Sequence, residues 1–344
     1  MLSEPFTKRK IMKIVFYDTH NFEKEVFEKI NTGFGFNINF LDVRLTDLTA
    51  SLAKGADVVC SFVNDKVDEA CIANLKQNGV KLIALRSAGF NHVDHVAAKK
   101  YGIPVCRVPG YSPNAVAEFA VGLLLSLNRK IHKSYLRVHE LNFSIDGLVG
   151  FDLNGKTVGV IGAGKIGKVF IRIMQAFGCR VLVNDLYEDP EIKSLSGVSY
   201  VSLDELAKLS DVISLHVPLN KSTFHLVNAE FITKMKSKAL LVNTGRGALI
   251  EARALIEGLK SKKIGGAALD VYEEEEGVFF HDLSNQGLND DTLARLLTFP
   301  NVLITSHQGF LTIEALSNIA TTTLQSVQQF QKTGQVDAIK VVSS

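Results

Sequence analysis

Three groups of polar residues follow apolar, strand-like runs in the second half of the chain. Arg246 lies in NTGRG (243–247), just after KALLV. Asp270 opens DVYEEEE (270–276), after IGGAAL. His307 lies in SHQGF, after VLIT. An arginine offers a rigid fork of donors that matches a planar carboxylate. A histidine delivers a proton near neutral pH, and a carboxylate beside it keeps the imidazolium charged and oriented. Each residue also has an ordinary reading: a loop salt bridge for Arg246, a structural histidine for His307, a solvated patch for the glutamates. Charge reasoning alone does not choose one acid from the run.

A glycine loop gives these groups a context. Gly162, Gly164 and Gly167 form GxGxxG in VIGAGKIG (160–167), after the strand-like KTVGVIG and before the helix-like KIGKVFIRIMQAF. The first glycine permits a tight turn and the second lets backbone approach a pyrophosphate. The third lets the helix pack close to the sheet, with its amino end facing the phosphates. Asp185 lies 21 residues beyond Gly164, at the end of the next strand. A carboxylate there accepts both adenine-ribose hydroxyls and repels a ribose phosphate, which favours NAD over NADP. His216 ends DVISLHV (211–217) and is a candidate cofactor contact rather than the acid. With a nicotinamide, the set is fit to reduce a 2-keto acid: Arg246 clamps the acid and polarises the ketone, and His307 protonates the developing alkoxide.

The elements that must position these groups alternate along the chain. Strand-like runs at 11–18, 36–43, 57–62, 81–87 and 103–108 are separated by helical spacing at 21–30 and 68–77. A second series begins at 156–162 and continues at 179–185, 211–217, 238–244, 264–271 and 302–306. Mostly continuous apolar strands with helices between them indicate parallel sheets covered on both faces. Pro109, Gly110 and Pro113 break the chain between the series, as suits an interdomain crossing. The segment 115–138 reads as one long helix, apolar over much of its circumference and therefore buried. The helix-like tail 312–331 is expected to return to the first domain, which has too few helices for its strands.

Composition narrows the classes. The 344 residues carry a formal net charge of +2 and 46% hydrophobic residues, with mean hydropathy +0.14. This length suits two domains, and a near-neutral chain without a basic block is a poor fit to nucleic acid. The four cysteines, Cys60, Cys71, Cys106 and Cys179, form no CxxC pair and read as buried free thiols of a reducing compartment. No cysteine or histidine cluster has metal-ligand spacing, and neither a GxSxG elbow nor a Walker lysine motif occurs. No apolar run is long enough to span a membrane or serve as a signal core, so the expectation is a cytoplasmic protein with a loose polar extension at residues 1–10.

The chain resembles the D-2-hydroxyacid dehydrogenase family, and within it the fermentative NAD-dependent lactate enzymes. ALRSAGFNHVD (84–94), VPGYSPNAVAEFA (108–120), VIGAGKIG, DVISLHVPL, LVNTGRGALI, ALDVYEEE and TSHQGF occur in the family's order, from about residue 11 onward. The resemblance implies Arg246, Glu275 and His307 as catalytic residues, because an aspartate followed five positions later by a glutamate marks the acid paired with the histidine. It implies substrate contacts from the Ala88 and Gly89 amides and from Tyr111, with Phe62 and Phe310 helping to enclose a methyl group. Lys165 and Ile166 would present the pyrophosphate-binding turn. Val217, Pro218, Thr223, Thr244 and Gly245 would line the dinucleotide, and Asp270 would accept a hydrogen bond from the nicotinamide amide.

The implied architecture is two Rossmann- or flavodoxin-like domains, with the cofactor domain (110–307) inserted into a substrate domain (1–109 and 308–344). The implied reaction is reversible NADH-dependent reduction of pyruvate to D-lactate by a homodimer or homotetramer. An enzyme for larger 2-keto acids, of the D-2-hydroxyisocaproate type, is the nearest alternative. A non-catalytic NAD-sensing protein is the alternative from another class. Phosphoglycerate is disfavoured because no phosphate-binding cluster or carboxyl-terminal regulatory domain is evident, and formate because it would need a different set of groups around the acid.

Overall fold

A computed structural model describes residues 11–337. The extension expected at residues 1–10 lies outside the described residues. The chain divides into two compact units: Met1–Ser112 with Leu311–Ser344, and Pro113–Phe310. The second is thus inserted into the sequence of the first.

In the first unit the elements run β1 (Lys13–Phe16), α1 (Asn21–Asn31), β2 (Asn37–Phe40), β3 (Val58–Ser61), α2 (Glu69–Gln77), β4 (Leu82–Leu85), α3 (His95–Tyr101) and β5 (Val105–Cys106). Among the described residues these strands form one parallel sheet in the order β2-β1-β3-β4-β5. The buried strands β3 and β4 read VVCS and LIAL without alternation, as a sheet covered on both faces requires. Asp68 and Asp94 start α2 and α3 by accepting the backbone amides of Cys71 and Ala97. Helix α3 lacks a strong apolar stripe, and the sequence reading did not assign it.

The second unit begins with α4 (Pro113–Arg129) and α5 (Ile131–His139), then β6 (Thr157–Ile161), α6 (Lys165–Ala176), β7 (Arg180–Asn184), α7 (Pro190–Lys193), β8 (Val198–Tyr200), α8 (Leu203–Leu209) and β9 (Val212–Leu215). It continues with α9 (Ala229–Lys234), β10 (Ala239–Asn243), α10 (Ala252–Lys260), β11 (Ile264–Leu269), α11 (Asp291–Leu297) and β12 (Val302–Ile304). Among the described residues its sheet is parallel, in the order β12-β11-β10-β9-β6-β7-β8. The order reverses between β6 and β9, so their carboxyl ends flank a crevice of the kind that binds ligands in open α/β sheets. The chain then returns to the first unit as α12 (Ile313–Thr333), which packs on α1 and β4. That return is the one expected for the tail.

The single buried helix expected over 115–138 is two helices. The chain breaks at Lys130, which takes a left-handed φ of 53°. Helix α4 buries Ala117, Ala120, Leu124 and Leu127 against the sheet, whereas α5 buries nothing and leaves Ile131, Tyr135, Leu136 and Val138 exposed. The apolar residues continue past the break, but the sheet surface they could cover does not.

The first unit also holds a charge that the hydrophobic pattern hides. Arg86 is 1% exposed. Its Nε and Nη2 donate to both carboxylate oxygens of Glu23 at 2.8 Å, and Nη2 also donates to the Tyr17 and Asp18 carbonyls. Nearby, Asp65 is buried and accepts from the Leu45 and Phe62 amides and the Ser61 hydroxyl. Burial pushes the Asp65 carboxyl up to about 6, against the pull of Arg86 and these donors. Ionising it therefore opposes folding: its contribution is fullest below pH ~4 and is lost as pH rises through about 6. Removing one partner of a buried ion pair strands the other charge, at a cost of about 3–5 kcal/mol. Arg86→Ala is expected to lower the stability of the first unit by that amount in urea denaturation followed by circular dichroism. A loss below about 1 kcal/mol, the scale of an exposed pair, would contradict the role assigned to it.

Candidate active site

The glycine loop joins β6 to α6. Gly162 has φ +99°, and a Cβ there would come within 2.7 Å of the His216 carbonyl group at the end of β9. A Cβ on Gly167 would lie 2.0 Å from the Gly162 oxygen, so the helix can approach the loop only without a side chain. Gly164 begins α6, and a Cβ there would meet nothing within 4 Å. The space over the helix's amino end is open, as a pyrophosphate approaching backbone amides requires. Lys165 and Ile166 form the first turn of α6.

Asp185 follows β7. Its Oδ2 accepts the Ala163 amide at 2.6 Å and its Oδ1 accepts the Tyr187 amide at 3.1 Å. The carboxylate is thereby fixed beside the glycine loop with acceptor capacity left for ribose hydroxyls. His216 Nε2 pairs with the Ser214 hydroxyl at 2.9 Å, and its ring lies 4.9 Å from that of Phe170. Burial lowers this imidazole to about 4, so it is neutral at physiological pH. That favours a contact role and disqualifies it as a proton donor there. Val217 and Pro218 follow. The Thr223 hydroxyl donates to the Pro218 carbonyl at 2.6 Å and accepts the Asn220 amide, so it closes the 218–223 turn.

Thr244 follows β10 at 7% exposure, and its buried hydroxyl oxygen has no hydrogen-bond partner among the described residues. A buried polar atom left alone is costly, and one just past a strand's carboxyl end suits a dinucleotide ligand. The open approach at Gly164, the Asp185 carboxylate and the Thr244 hydroxyl together fit an NAD-type cofactor. Among the described residues no cluster of histidine, cysteine or carboxylate side chains is arranged to hold a metal.

The residues expected to carry proton transfer follow the carboxyl ends of the adjacent strands β10, β11 and β12. After β10, the Asn243 side chain accepts the Gly245 amide and donates to the Arg246 carbonyl, shaping the turn. The Arg246 guanidinium donates to the Gly245 carbonyl at 2.7 Å and forms no ion pair among the described residues. After β11, Asp270 is 1% exposed. Its Oδ1 accepts the Thr305 hydroxyl at 2.6 Å and the Gln308 amide at 2.9 Å, and its Oδ2 accepts the Gly309 amide at 2.7 Å. Burial raises this carboxyl, and the three donors pull it back. The residue expected to face nicotinamide therefore spends most of its acceptor capacity on the turn that carries His307.

His307 itself adopts a left-handed φ of 54°, and its amide donates to the Asp270 carbonyl at 2.8 Å. Its Nδ1 lies 2.9 Å from Glu275 Oε1, with both side chains half-buried. Glu275 Oε2 accepts the Tyr272 amide at 3.3 Å. Nδ1 is thus engaged and Nε2 is the nitrogen left to exchange a proton. Within the acidic run, Glu273 and Glu275 are half-buried while Glu274 and Glu276 are exposed. Glu273 is taken by His225 and by the Ala252 amide at the start of α10.

In the first unit, the Arg107 guanidinium donates to the Ala88 carbonyl and the Ser87 hydroxyl to the Gly89 carbonyl. These bonds fix the carbonyls, and neither amide donates among the described residues. The Tyr111 carbonyl accepts the Asn318 side chain at 2.7 Å. Phe62 is 4% exposed, with the Arg86 guanidinium 4.7 Å from its ring and the His20 ring against its edge. Phe310 closes the second unit and is partly buried.

The sequence reading missed Asn243, Ser214, Thr305 and the His225–Glu273 pair. Asn243 had a signal: an asparagine two residues before a glycine turn is a local cap. The others act through partners far along the chain and had none.

Asp185→Ala removes the proposed ribose acceptor without exposing a core. Lost hydrogen bonds to a charged acceptor are worth about 1.5–3 kcal/mol, or roughly ten- to hundredfold. NADH affinity, followed by calorimetric titration, is expected to fall by that factor with the melting temperature little changed. Unchanged affinity would remove Asp185 from the site.

Residues 121–309 match the family described as "D-isomer specific 2-hydroxyacid dehydrogenase, NAD binding domain". The chain is 49% identical over 321 residues to a D-lactate dehydrogenase of Escherichia coli (strain K12), covering 93% of this chain and 97% of that one. It is 44% identical over 324 residues to an aromatic 2-oxoacid reductase of Clostridium sporogenes, covering 94% and 97%. The solved apo-structure of D-lactate dehydrogenase from Escherichia coli superposes with TM-score 0.88 at 46% identity, over 96% of this chain and 100% of that one. The chain therefore belongs to the D-isomer-specific 2-hydroxyacid dehydrogenase family and is an NAD-dependent oxidoreductase of that family.

Proposed function

We propose that this enzyme reduces pyruvate to D-lactate, reversibly, with NADH. The observation that carries the reading is the Glu275–His307 pair, with Nδ1 held at 2.9 Å and Nε2 left over, His307 following the strand next but one to that of Arg246, which makes no ion pair among the described residues. Bound NADH supplies the hydride that the keto carbon accepts. Arg246 takes the substrate carboxylate with its fork and polarises the ketone. His307, as imidazolium, gives the Nε2 proton to the ketone oxygen as it becomes an alcohol; in the reverse direction Nε2 takes the hydroxyl proton. Glu275 holds the ring by Nδ1 and stabilises its charged form. The Ala88 and Gly89 amides and Tyr111 are assigned to the carboxylate, and Phe62 and Phe310 to the substrate's side group.

Gly162, Gly164, Lys165, Ile166 and Gly167 are assigned to the pyrophosphate and Asp185 to the adenine ribose. His216, Val217, Pro218, Thr223, Thr244 and Gly245 line the dinucleotide. Asp270 retains one acceptor position for the nicotinamide amide. We assign the chain to the cytoplasm and to fermentative metabolism, consistent with its four buried free cysteines and with no described helix long and apolar enough to cross a membrane. A homodimer or homotetramer would cover the apolar surface left exposed by Tyr135, Leu136, Leu141, Phe143 and Ile145.

A second reading, larger 2-keto acids, is favoured by two observations. One is the Clostridium sporogenes relative, named for aromatic 2-oxoacids. The other is that the Phe62 ring is largely covered by Arg86 and His20. A steady-state panel of 2-keto acids with NADH, with chiral analysis of each product, separates the two. Preference for pyruvate with D-lactate as product supports the first reading, and higher kcat/KM for phenylpyruvate or 2-ketoisocaproate the second. Absence of turnover on every acid would favour an NAD-sensing binding protein. For the proton donor, His307→Gln is expected to keep NADH affinity and lose about 10²–10⁴-fold in kcat for pyruvate. Ordinary turnover by this variant would reject His307 in that role.

A further inference from the structure

The second unit has a cavity of about 390 Å³ at the amino ends of β10, β11 and β12, the opposite end of those strands from Arg246, Asp270 and His307. Leu127, Phe151, Leu240, Leu259 and Ile264 give it apolar walls. Lys130, Lys238 and Lys262 line it, His132 joins them, and no aspartate or glutamate does. The nearby carboxylates Asp211 and Glu257 are paired with Lys236 and Lys260.

Lys130 is half-buried and Lys238 and Lys262 are exposed at the mouth, and two features beyond charge mark the cluster. First, all three lysines occupy left-handed backbone: φ is 53° at Lys130, 64° at Lys238 and 58° at Lys262. Glycine or asparagine suits that region, and a long side chain there costs of order 1 kcal/mol or more. Three such residues, from three separate turns, line one cavity. Second, His132 lines the same cavity with its Nδ1 buried and the Ser126 backbone as its hydrogen-bonding neighbour.

The frame around the lysines is built. Asn128 clamps the Phe151 backbone through both its amide atoms, at 2.7 and 3.0 Å, and so holds residues 149–151 against the end of α4. A Cβ on Gly265 would lie 2.1 Å from the Lys238 carbonyl oxygen, which keeps the start of β11 tight against the turn before β10. Lys130 gives one bond to the Val149 carbonyl, which leaves two of its three protons. Lys238 and Lys262 have no ion pair among the described residues.

We propose that this cavity is a binding site for a small organic or inorganic polyanion, carrying two or more phosphate or carboxylate groups, and that Lys130, Lys238 and Lys262 are its ligands. Multiple ammonium donors match a multiply charged anion better than a single carboxylate. The site is separate from the catalytic groups. It lies at the other end of the strands that carry them, so an anion there would touch the segments whose far ends place Arg246 and His307.

The test is isothermal titration of the intact enzyme with inorganic pyrophosphate and, separately, with tricarballylate, at constant ionic strength. Saturating NADH and oxamate keep the glycine loop and Arg246 occupied. The comparison is the double variant Lys238→Gly with Lys262→Gly, which removes two charges where left-handed backbone already suits glycine and so keeps the fold and basal turnover. Binding of either probe by the native enzyme, weakened about tenfold or more in the variant, supports the site, and the probe that binds tells phosphate from carboxylate chemistry. Binding by neither probe, or equal binding to both proteins, overturns it. So does a variant that changes only the subunit assembly seen in sedimentation, since the lysines would then serve a protein contact.

Discussion

The constraint on which the candidate catalytic end of this enzyme depends is a buried carboxylate that must find hydrogen-bond donors. Asp270, at 1% exposure, accepts a hydroxyl from Thr305 and amides from Gln308 and Gly309, and its backbone bridges Asn243 on one side and His307 on the other. A buried carboxylate without such donors would be expensive. Meeting that demand forces the chain after β12 into one shape, including the left-handed His307. The strain is tolerated because the surrounding bonds over-determine it. The imidazole is then within reach of Glu275. Positioning here is a matter of polar satisfaction rather than apolar packing, and the same residue ties the Arg246 turn to the histidine turn.

The inserted unit uses the two ends of its sheet differently. At the carboxyl ends of β6 and β9, glycines make room for backbone to approach a ligand, and at those of β10 to β12 polar side chains are locked by Asx-type bonds. At the amino ends of β10 to β12, strained lysines surround an apolar cavity. A parallel sheet makes this division natural, because every strand begins on one side and finishes on the other. The acidic run after β11 shows the same economy on a smaller scale. Its alternate residues turn inward, Glu273 to His225 and Glu275 to His307, while Glu274 and Glu276 stay in solvent.

Much of this was legible in the sequence. Continuous apolar strands announced two parallel sheets, and the glycine spacing with Asp185 named a candidate cofactor end. The tail returned to the first unit as the shortage of helices there required. Arg246 and His307 could be named from strand-end position, but Glu275 could be chosen from four adjacent glutamates only by resemblance to a family. What stayed hidden depends on distant partners. The burial of Arg86 has no local signal, because its partner Glu23 lies 63 positions away. The break at Lys130 defeats hydrophobic periodicity, because the apolar residues of α5 continue the count while the surface beneath them ends. The organising role of Asp270 needs the fold of residues 305–309, which no spacing rule supplies.

The account is tested most directly by a crystal structure of the enzyme with NADH and oxamate, a non-reacting analogue of a 2-keto acid. It predicts His307 Nε2 within hydrogen-bond reach, about 2.6–3.2 Å, of the oxygen that stands for the ketone, with the Arg246 fork on the adjoining carboxylate and the nicotinamide facing the same carbon. A complex in which the imidazole and guanidinium both lie away from the bound acid would contradict it.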